Sequence, residues 1–143
     1  MMEFICFINI FYRYGKKLLE NMLKEYEINM QELIVILVIN ESEGIYQSKL
    51  INFTGLDKGN FSKFLKQLED RDYIYRIESK DMPGQNECYL SDSGKNLVPY
   101  LKETLNKWEL AVRKDIEDKE VEDFKVTSSK ISDNLCEDLG ITW

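Results

Sequence analysis

The sequence predicts a mostly helical α+β chain in which one two-stranded hairpin interrupts a run of helices. Three observations carry that reading. Apolar residues recur at helical spacing through most of the 143 residues. The period changes at one place, the β-rich run Tyr73-Ile-Tyr-Arg-Ile-Glu-Ser79, which is followed by the turn Lys80-Asp-Met-Pro-Gly-Gln85 and a returning run over residues 86–90. No repeat or linker divides the chain, and this length suits one domain with its own core.

Taken in order, residues 3–26 read as one long amphipathic helix, with Phe4, Phe7, Ile8, Phe11, Leu18, Leu19, Met22 and Leu23 at helical spacing. Gly15 weakens its middle without ending it. The apolar opening, residues 1–12, is too short to span a bilayer, is interrupted by Glu3 and Asn9, and lacks the basic flank of a signal peptide. It is therefore expected to be the start of a buried helix, in a chain that is neither secreted nor membrane-bound. After Asn29 a second helix carries Leu33, Ile34, Ile36, Leu37 and Ile39, is apolar nearly all round and should be central to the core. Glu41-Ser-Glu-Gly44 closes it. A short helix over about residues 46–53 follows, with Thr54-Gly55 expected to form a left-handed stop.

Asp57 is a good N-cap for a fourth helix, residues 57–70. Phe61, Phe64, Leu65 and Leu68 fix its buried face, which turns Lys58, Asn60, Ser62, Lys63 and Lys66 outward. Beyond the hairpin, Ser91 caps a long helix striped with Leu97, Leu101, Leu105, Trp108 and Val112. A last helix, capped near Asp118, carries Val121, Phe124, Ile131 and Leu135 on one side.

Composition excludes most catalytic chemistry. The chain has no histidine, so a His general base, a Ser-His-Asp triad, a Cys-His pair and a His-ligated metal are all ruled out. Cys6, Cys88 and Cys136 are odd in number, far apart and form no C-x-x-C, which fits neither a disulfide framework nor a thiolate metal site and suits a reducing cytoplasm. Glu120 and Asp123 have no acid/base context and read as solvated helix face. No enzyme, no cofactor and no metal are expected.

The net charge of −7 speaks against a generic polyanion binder, but the charge is unevenly spread. Residues 45–80 hold 7 basic and 5 acidic side chains, whereas the segments before and after them are net acidic. A basic surface on an acidic body can still approach phosphate if the acids point elsewhere.

Helix, glycine turn, helix with a polar-basic outer face, then hairpin is the layout of a winged helix-turn-helix. The second helix of such a unit fits a major groove about 12 Å wide when its outward side chains are short or hydrogen-bonding. Gly59 and Ser62 keep that face low. Lys58, Asn60 and Lys63 can reach base edges, Asn suiting adenine and Lys guanine. Lys49, Ser62, Lys66 and Arg76 suit phosphate, which positions without specifying. Lys80 is the one basic residue near the hairpin tip. A charged helix face is more often merely solvated, so the hairpin beside it is what favours contact with nucleic acid.

The run Thr54-Gly-Leu-Asp-Lys-Gly-Asn-Phe-Ser-Lys-Phe-Leu-Lys-Gln-Leu-Glu-Asp-Arg-Asp-Tyr-Ile-Tyr-Arg76, followed by Leu90-Ser-Asp-Ser-Gly94, resembles the MarR family of bacterial transcriptional regulators. Members share a recognition helix ending in Leu-Glu, a Gly-Leu-Ile-x-Arg strand, a wing, and Leu-Thr-x-x-Gly opening the next helix. The resemblance implies a homodimer in which residues 1–28 and 92–143 form dimerisation helices around a DNA-binding region, residues 29–91. It implies a repressor on a pseudo-palindromic double-stranded operator, released by a small-molecule effector or by cysteine oxidation. Independently, two long amphipathic helices flanking a small unit have more apolar stripe than one lobe can cover.

The departures from the family pattern are specific. The wing usually carries Asp-x-Arg-Arg or similar, with an Arg entering the minor groove; here the stretch is Asp81-Met-Pro-Gly84 and both arginines are missing. That loss predicts weaker or salt-sensitive binding that leans on the recognition helix. It also opens an alternative, a winged-helix protein-interaction module that has lost DNA binding. Asp72 replaces the usual Gly before the first wing strand. Cys6 falls where peroxide-sensing members place a reactive cysteine, but Ile10 and Glu20 stand where activating tyrosines would be. A buried Cys6 among Phe4, Phe7 and Ile8, behaving as a small hydrophobe with a raised pKa, is the competing expectation. Tyr12, Tyr14, Tyr26 and Trp108 could line an effector cleft or simply pack in core or interface.

Overall fold

The computed structural model describes residues 1–142. Its N-terminal helical path is continuous but not uniform. Phe4–Ile10 (α1) and Lys16–Leu23 (α2) are α-helical, Phe11–Gly15 between them winds as a π-turn, and Lys24–Tyr26 tightens to a 3-10 turn. The carbonyl of Gly15, the last residue of the π-turn, accepts the Trp108 indole N–H at 3.0 Å. The helix expected over residues 3–26 is present, but the burial expected of its start is not. No residue of α1 is buried, and Phe4, Ile5 and Ile8 are exposed because little within one chain packs over them. Cys6 is likewise exposed, which overturns the expectation of a buried thiol there.

Met30–Glu41 (α3) opens on a capping box, with Asn29 accepting the Glu32 N–H and Glu32 accepting the Asn29 N–H, both at 2.9 Å. Glu20 adds a third acceptor, taking the Met30 N–H at 2.9 Å. Three of the orphan donors of the first turn are thereby satisfied. Leu33, Val35, Ile36 and Ile39 are buried on different sides of α3, which makes it the centre of the core. Around it lie Leu19 and Leu23 of α2, Leu50, Phe61, Leu65, Leu68, Ile74, Leu90 and Leu101.

Ile45–Tyr46 (β1) is a strand the sequence pattern did not reveal, since two residues are too few to show alternation. It runs straight into Gln47–Leu50 (α4) and a 3-10 turn, Ile51–Phe53. The stop beyond differs from the expected one. Thr54 is extended (φ −127°, ψ 163°) and its hydroxyl bonds the Ile51 carbonyl at 2.9 Å, while Gly55 is not among the left-handed residues. A side-chain hydroxyl therefore ends the turn in place of a left-handed glycine.

Lys58–Asp70 (α5) is capped by Asp57, which accepts the Asn60 N–H at 2.8 Å. Phe61, Leu65 and Leu68 are buried as the spacing predicts, and Phe64 stacks on Phe61 with centroids 5.8 Å apart. The helix ends through Asp72 at φ 62°, the left-handed position that glycine favours. Asp72 holds it with its own contacts: its carbonyl accepts the Ser91 hydroxyl, and its carboxylate accepts the Ser93 hydroxyl at 3.2 Å. Ile74–Glu78 (β2) and Asn86–Leu90 (β3) pair antiparallel, Arg76 opposite Cys88, and β1 pairs with the other edge of β3 in the order β1-β3-β2.

Asp92–Val112 (α6) is capped by Ser91, which accepts the Gly94 N–H at 3.0 Å. Gly94 is dictated by contact, since a Cβ there would lie 2.1 Å from the Tyr73 carbonyl oxygen. Leu101 is buried and Leu97, Leu105 and Trp108 pack against the core, whereas Val112 at the far end is exposed. Asp118–Leu139 (α7) follows, its N-cap at Glu117, beside Asp118 as expected, with the Glu117 N–H donating to Glu120 Oε1 at 3.3 Å. Its 22 residues include none that is buried, and Phe124 and Leu135 are exposed.

Two outcomes follow from this packing. Gly94→Ala must push helix from strand and should destabilise the fold by about 3 kcal/mol in urea denaturation. Cys88 is fully buried, and that burial pushes its thiol up to about 11 from 9.0. The folded state keeps its full stability below pH 9 and loses part of it as the pH rises through about 11. Thiol labelling at pH 8 should therefore miss Cys88 until the chain is unfolded. Melting of the wild type should fall further between pH 9 and pH 11 than melting of Cys88→Ala.

Candidate nucleic-acid interface

The outward side of α5, the end of α4 and the turn between β2 and β3 form one continuous polar edge. A groove lined by Gln47, Ser48, Ile51, Lys58, Phe61, Gly84, Gln85 and Asn86 separates the start of α5 from the wing turn. A second, shallower one lies between α5 and β2, lined by Ser62, Lys63, Lys66, Gln67 and Arg76. Lys58, Ser62, Lys63, Lys66 and Arg76 thus line these two grooves as a set. Lys49 on α4 and Lys80 in the wing turn are exposed but line neither. Gly59 is exposed in the first turn of α5. Cys6 belongs to α1, outside this edge.

Charge pairing sorts the cations into two groups. Arg76 Nε donates to Glu69 Oε1 at 2.6 Å and Arg76 Nη1 donates to Gln47 Oε1 at 3.2 Å, while Asn86 Nδ2 reaches the same Gln47 oxygen at 3.4 Å. Four side chains from α5, β2, α4 and β3 are joined in this way. The Arg76 and Glu69 side chains are only 16% and 25% exposed, so their attraction is poorly screened. Arg71 is likewise committed, to Glu32 at 3.2 Å and to the Tyr26 carbonyl at 3.3 Å. Lys66 pairs with Asp70 at 2.8 Å, a contact that holds its ammonium above the usual lysine range. That pair is well exposed and spaced i,i+4, a type that contributes little and yields readily to a competing anion. Among the described residues Lys49, Lys58, Lys63 and Lys80 make no ion pair.

The acids of this region are mostly occupied. Asp57 caps α5 and also accepts Asn60 Nδ2 at 3.0 Å, so the Asn60 amide is tied to its own helix start. Glu69 faces Arg76, and Asp70 faces Lys66. This is how an acidic chain presents a locally basic edge. The sequence reading missed Gln47, Gln67, Gln85 and Asn86, whose amides line the grooves and suit base edges or phosphate. Nothing in the linear pattern marks Gln47, Gln85 and Asn86, because they converge only when the wing folds beside α5.

Comparison with known proteins fits this geometry. Residues 28–81 match the model of the MarR family. The transcriptional regulator SarZ of Staphylococcus aureus (strain USA300) is 30% identical over 102 residues, covering 69% of this chain and 68% of that protein. The chain belongs to the MarR family. Like the other MarR-family proteins it is a DNA-binding transcriptional regulator and not an enzyme. The fold agrees over nearly its full length with a MarR transcriptional regulator from Methanosarcina mazei Go1, with a TM-score of 0.82 at 21% identity, covering 91% of this chain and 94% of that one. A mutant MarR from E. coli, solved in complex with operator DNA, gives 0.78 at 16% identity, covering 87% of this chain and 90% of that one. In this MarR-family chain no helix among the described residues is long and apolar enough to cross a membrane.

The pairing pattern makes a measurable distinction. Arg76→Gln should lower stability by about 2 kcal/mol in urea denaturation, because Glu69 is left without its partner. Lys66→Gln should leave the unfolding midpoint unchanged.

Proposed function

We propose that the chain works as a cytoplasmic homodimeric repressor in which residues 29–91 of each protomer read one half-site of a pseudo-palindromic operator. In this reading α5 enters the major groove with Lys58, Asn60 and Lys63 toward base edges, Gly59 allowing close approach. Lys49, Ser62, Lys66 and Lys80 meet phosphates. Arg76 acts as a positioning residue, holding α5 against the wing through Glu69, and makes no phosphate contact of its own. The observation that carries the reading is the row of unpaired lysines along α5 and its flanks, on an edge where Asp57, Glu69 and Asp70 are turned to other tasks. Half-sites on one face of the duplex lie about 10 bp apart or a multiple of that.

The dimer is supported by what one chain leaves uncovered. Phe4, Ile5, Ile8 and Phe11 at one end of the sequence and Phe124, Val126, Leu135 and Leu139 at the other are all exposed. Two such helices without a core contribution of their own form a surface that water disfavours. Residues 1–28 and 92–143 serve as the dimerisation helices. Release by a small-molecule effector, or by oxidation at the exposed Cys6, would act by changing the separation of the two α5 helices. Either signal must favour one of two dimer states to shift their balance.

Fluorescence anisotropy on a duplex from upstream of the gene, with a scrambled control and a salt series, tests the reading. Three lysines per lobe, Lys49, Lys66 and Lys80, are assigned to phosphate, so the slope of log K against log salt should be about −5 for the dimer. Lys63→Glu should abolish sequence-dependent binding, whereas Arg76→Gln should weaken it with the slope unchanged. Undiminished DNA binding by Lys63→Glu would sink the assignment of α5 as the reading element. Absence of binding to either duplex at low salt would favour the protein-interaction alternative.

A further inference from the structure

We infer that Asp57 is a positioning residue for base selection: it turns the Asn60 amide so that each lobe reads an exocyclic amino group, admitting adenine or cytosine at that base and excluding guanine or thymine. The inference rests on the DNA-binding reading above and adds to it the polarity of one base contact. Capping accounts for one oxygen of Asp57, Oδ1, which accepts the Asn60 backbone N–H at 2.8 Å. It does not account for the other. Asp57 Oδ2 accepts from Nδ2 of the same asparagine at 3.0 Å.

That second bond decides which way the amide faces. A carboxylate oxygen accepts, whereas an amide carries donors on its nitrogen and an acceptor on its oxygen. With its nitrogen toward Asp57, Asn60 turns Oδ1 away from its own helix start. The reverse orientation would set that oxygen against Oδ2, two acceptors with no proton between them. Asn60 is exposed, and among the described residues nothing donates to its Oδ1.

Position on the helix gives this polarity a use. Asn60 is the third residue of α5, in the part of a recognition helix that meets base edges. Lys58 lies two residues before it and Lys63 three residues beyond, both donors only. Ser62 can donate or accept. The Asn60 oxygen is therefore a fixed acceptor between two donors. In the major groove an acceptor finds a partner in adenine N6 or cytosine N4, and meets guanine O6 or thymine O4 with like polarity. Closing the interface removes the water that would bridge such a mismatch, so the wrong base leaves acceptors unpaired.

The test uses the full chain and selection from a random duplex pool, the contacted base being the one whose preference Asn60→Ala erases. The wild type should favour adenine or cytosine there by about tenfold over guanine or thymine. Asp57→Asn is the decisive variant. Asparagine caps a helix as well as aspartate does, so the melting temperature should hold. With its oxygen on the Asn60 N–H, the new amide nitrogen faces the Asn60 side chain, which must turn Oδ1 inward and Nδ2 outward. The preference should then invert to guanine or thymine. Asp57→Ser keeps a cap through one oxygen and frees the amide to turn, so all four bases should be accepted alike. Removing the Asp57 charge strengthens binding to every sequence equally, which leaves the preference as the readout. Selection of the wild-type base by Asp57→Asn, guanine or thymine at the contacted base in the wild type, or no position erased by Asn60→Ala would overturn this inference alone. Failure of the wild-type protein to select any sequence would overturn both it and the DNA-binding reading.

Discussion

Burial of Leu33, Val35, Ile36 and Ile39 on different sides of α3 is the constraint from which the rest of the lobe is organised. A helix that is apolar all round must be enclosed, and the elements that enclose it are the ones with function. α2 and α6 cover it on one side. α5 reaches the same core through Phe61, Leu65 and Leu68, so its lysines are left on the far side. The capping box at Asn29 and Glu32 and the Glu20 contact fix where α3 begins, and Arg71 then ties the end of α5 to Glu32. The orientation of α5 is thus set from the core outward.

Polar contacts finish what the core begins. Hydrophobic burial fixes which face of α5 points inward but leaves its angle to the wing loosely determined. The joined side chains of Glu69, Arg76, Gln47 and Asn86 remove that freedom, because a charge-assisted bond in a half-buried site depends strongly on geometry. The same arrangement consumes an arginine that linear reading would assign to phosphate. Basic residues along this edge are therefore of two kinds, paired and unpaired.

Most of the fold was legible because its signals are local. The buried stripe of α5, the Asp57 and Ser91 caps, the all-round apolar α3 and the hairpin at residues 73–90 each declare themselves within a few turns of chain. What escaped was set by distant partners. β1 is too short to alternate and exists because β3 offers an edge. The stop after Phe53 depends on a threonine hydroxyl, and Asp72 holds a left-handed backbone with help from Ser91 and Ser93. Cys6 looked buried because its neighbours are apolar, yet apolarity shows only that a residue seeks cover. Of the candidate site, the lysines of α5 were readable from periodicity, while Gln47, Gln85 and Asn86 were not, since they arrive from three other elements.

Gly94 has a mechanical consequence. With no room for even a methyl group between α6 and the Tyr73 carbonyl, strand and helix are fused at that point and turn together. From there α6 runs 21 residues to Val112, a rod about 30 Å long. A rotation of roughly 10° at its outer end would sweep the wing and α5 through about 5 Å. Small rearrangements at the far end of α6 would in this way be geared up into a larger displacement of the outward face of α5.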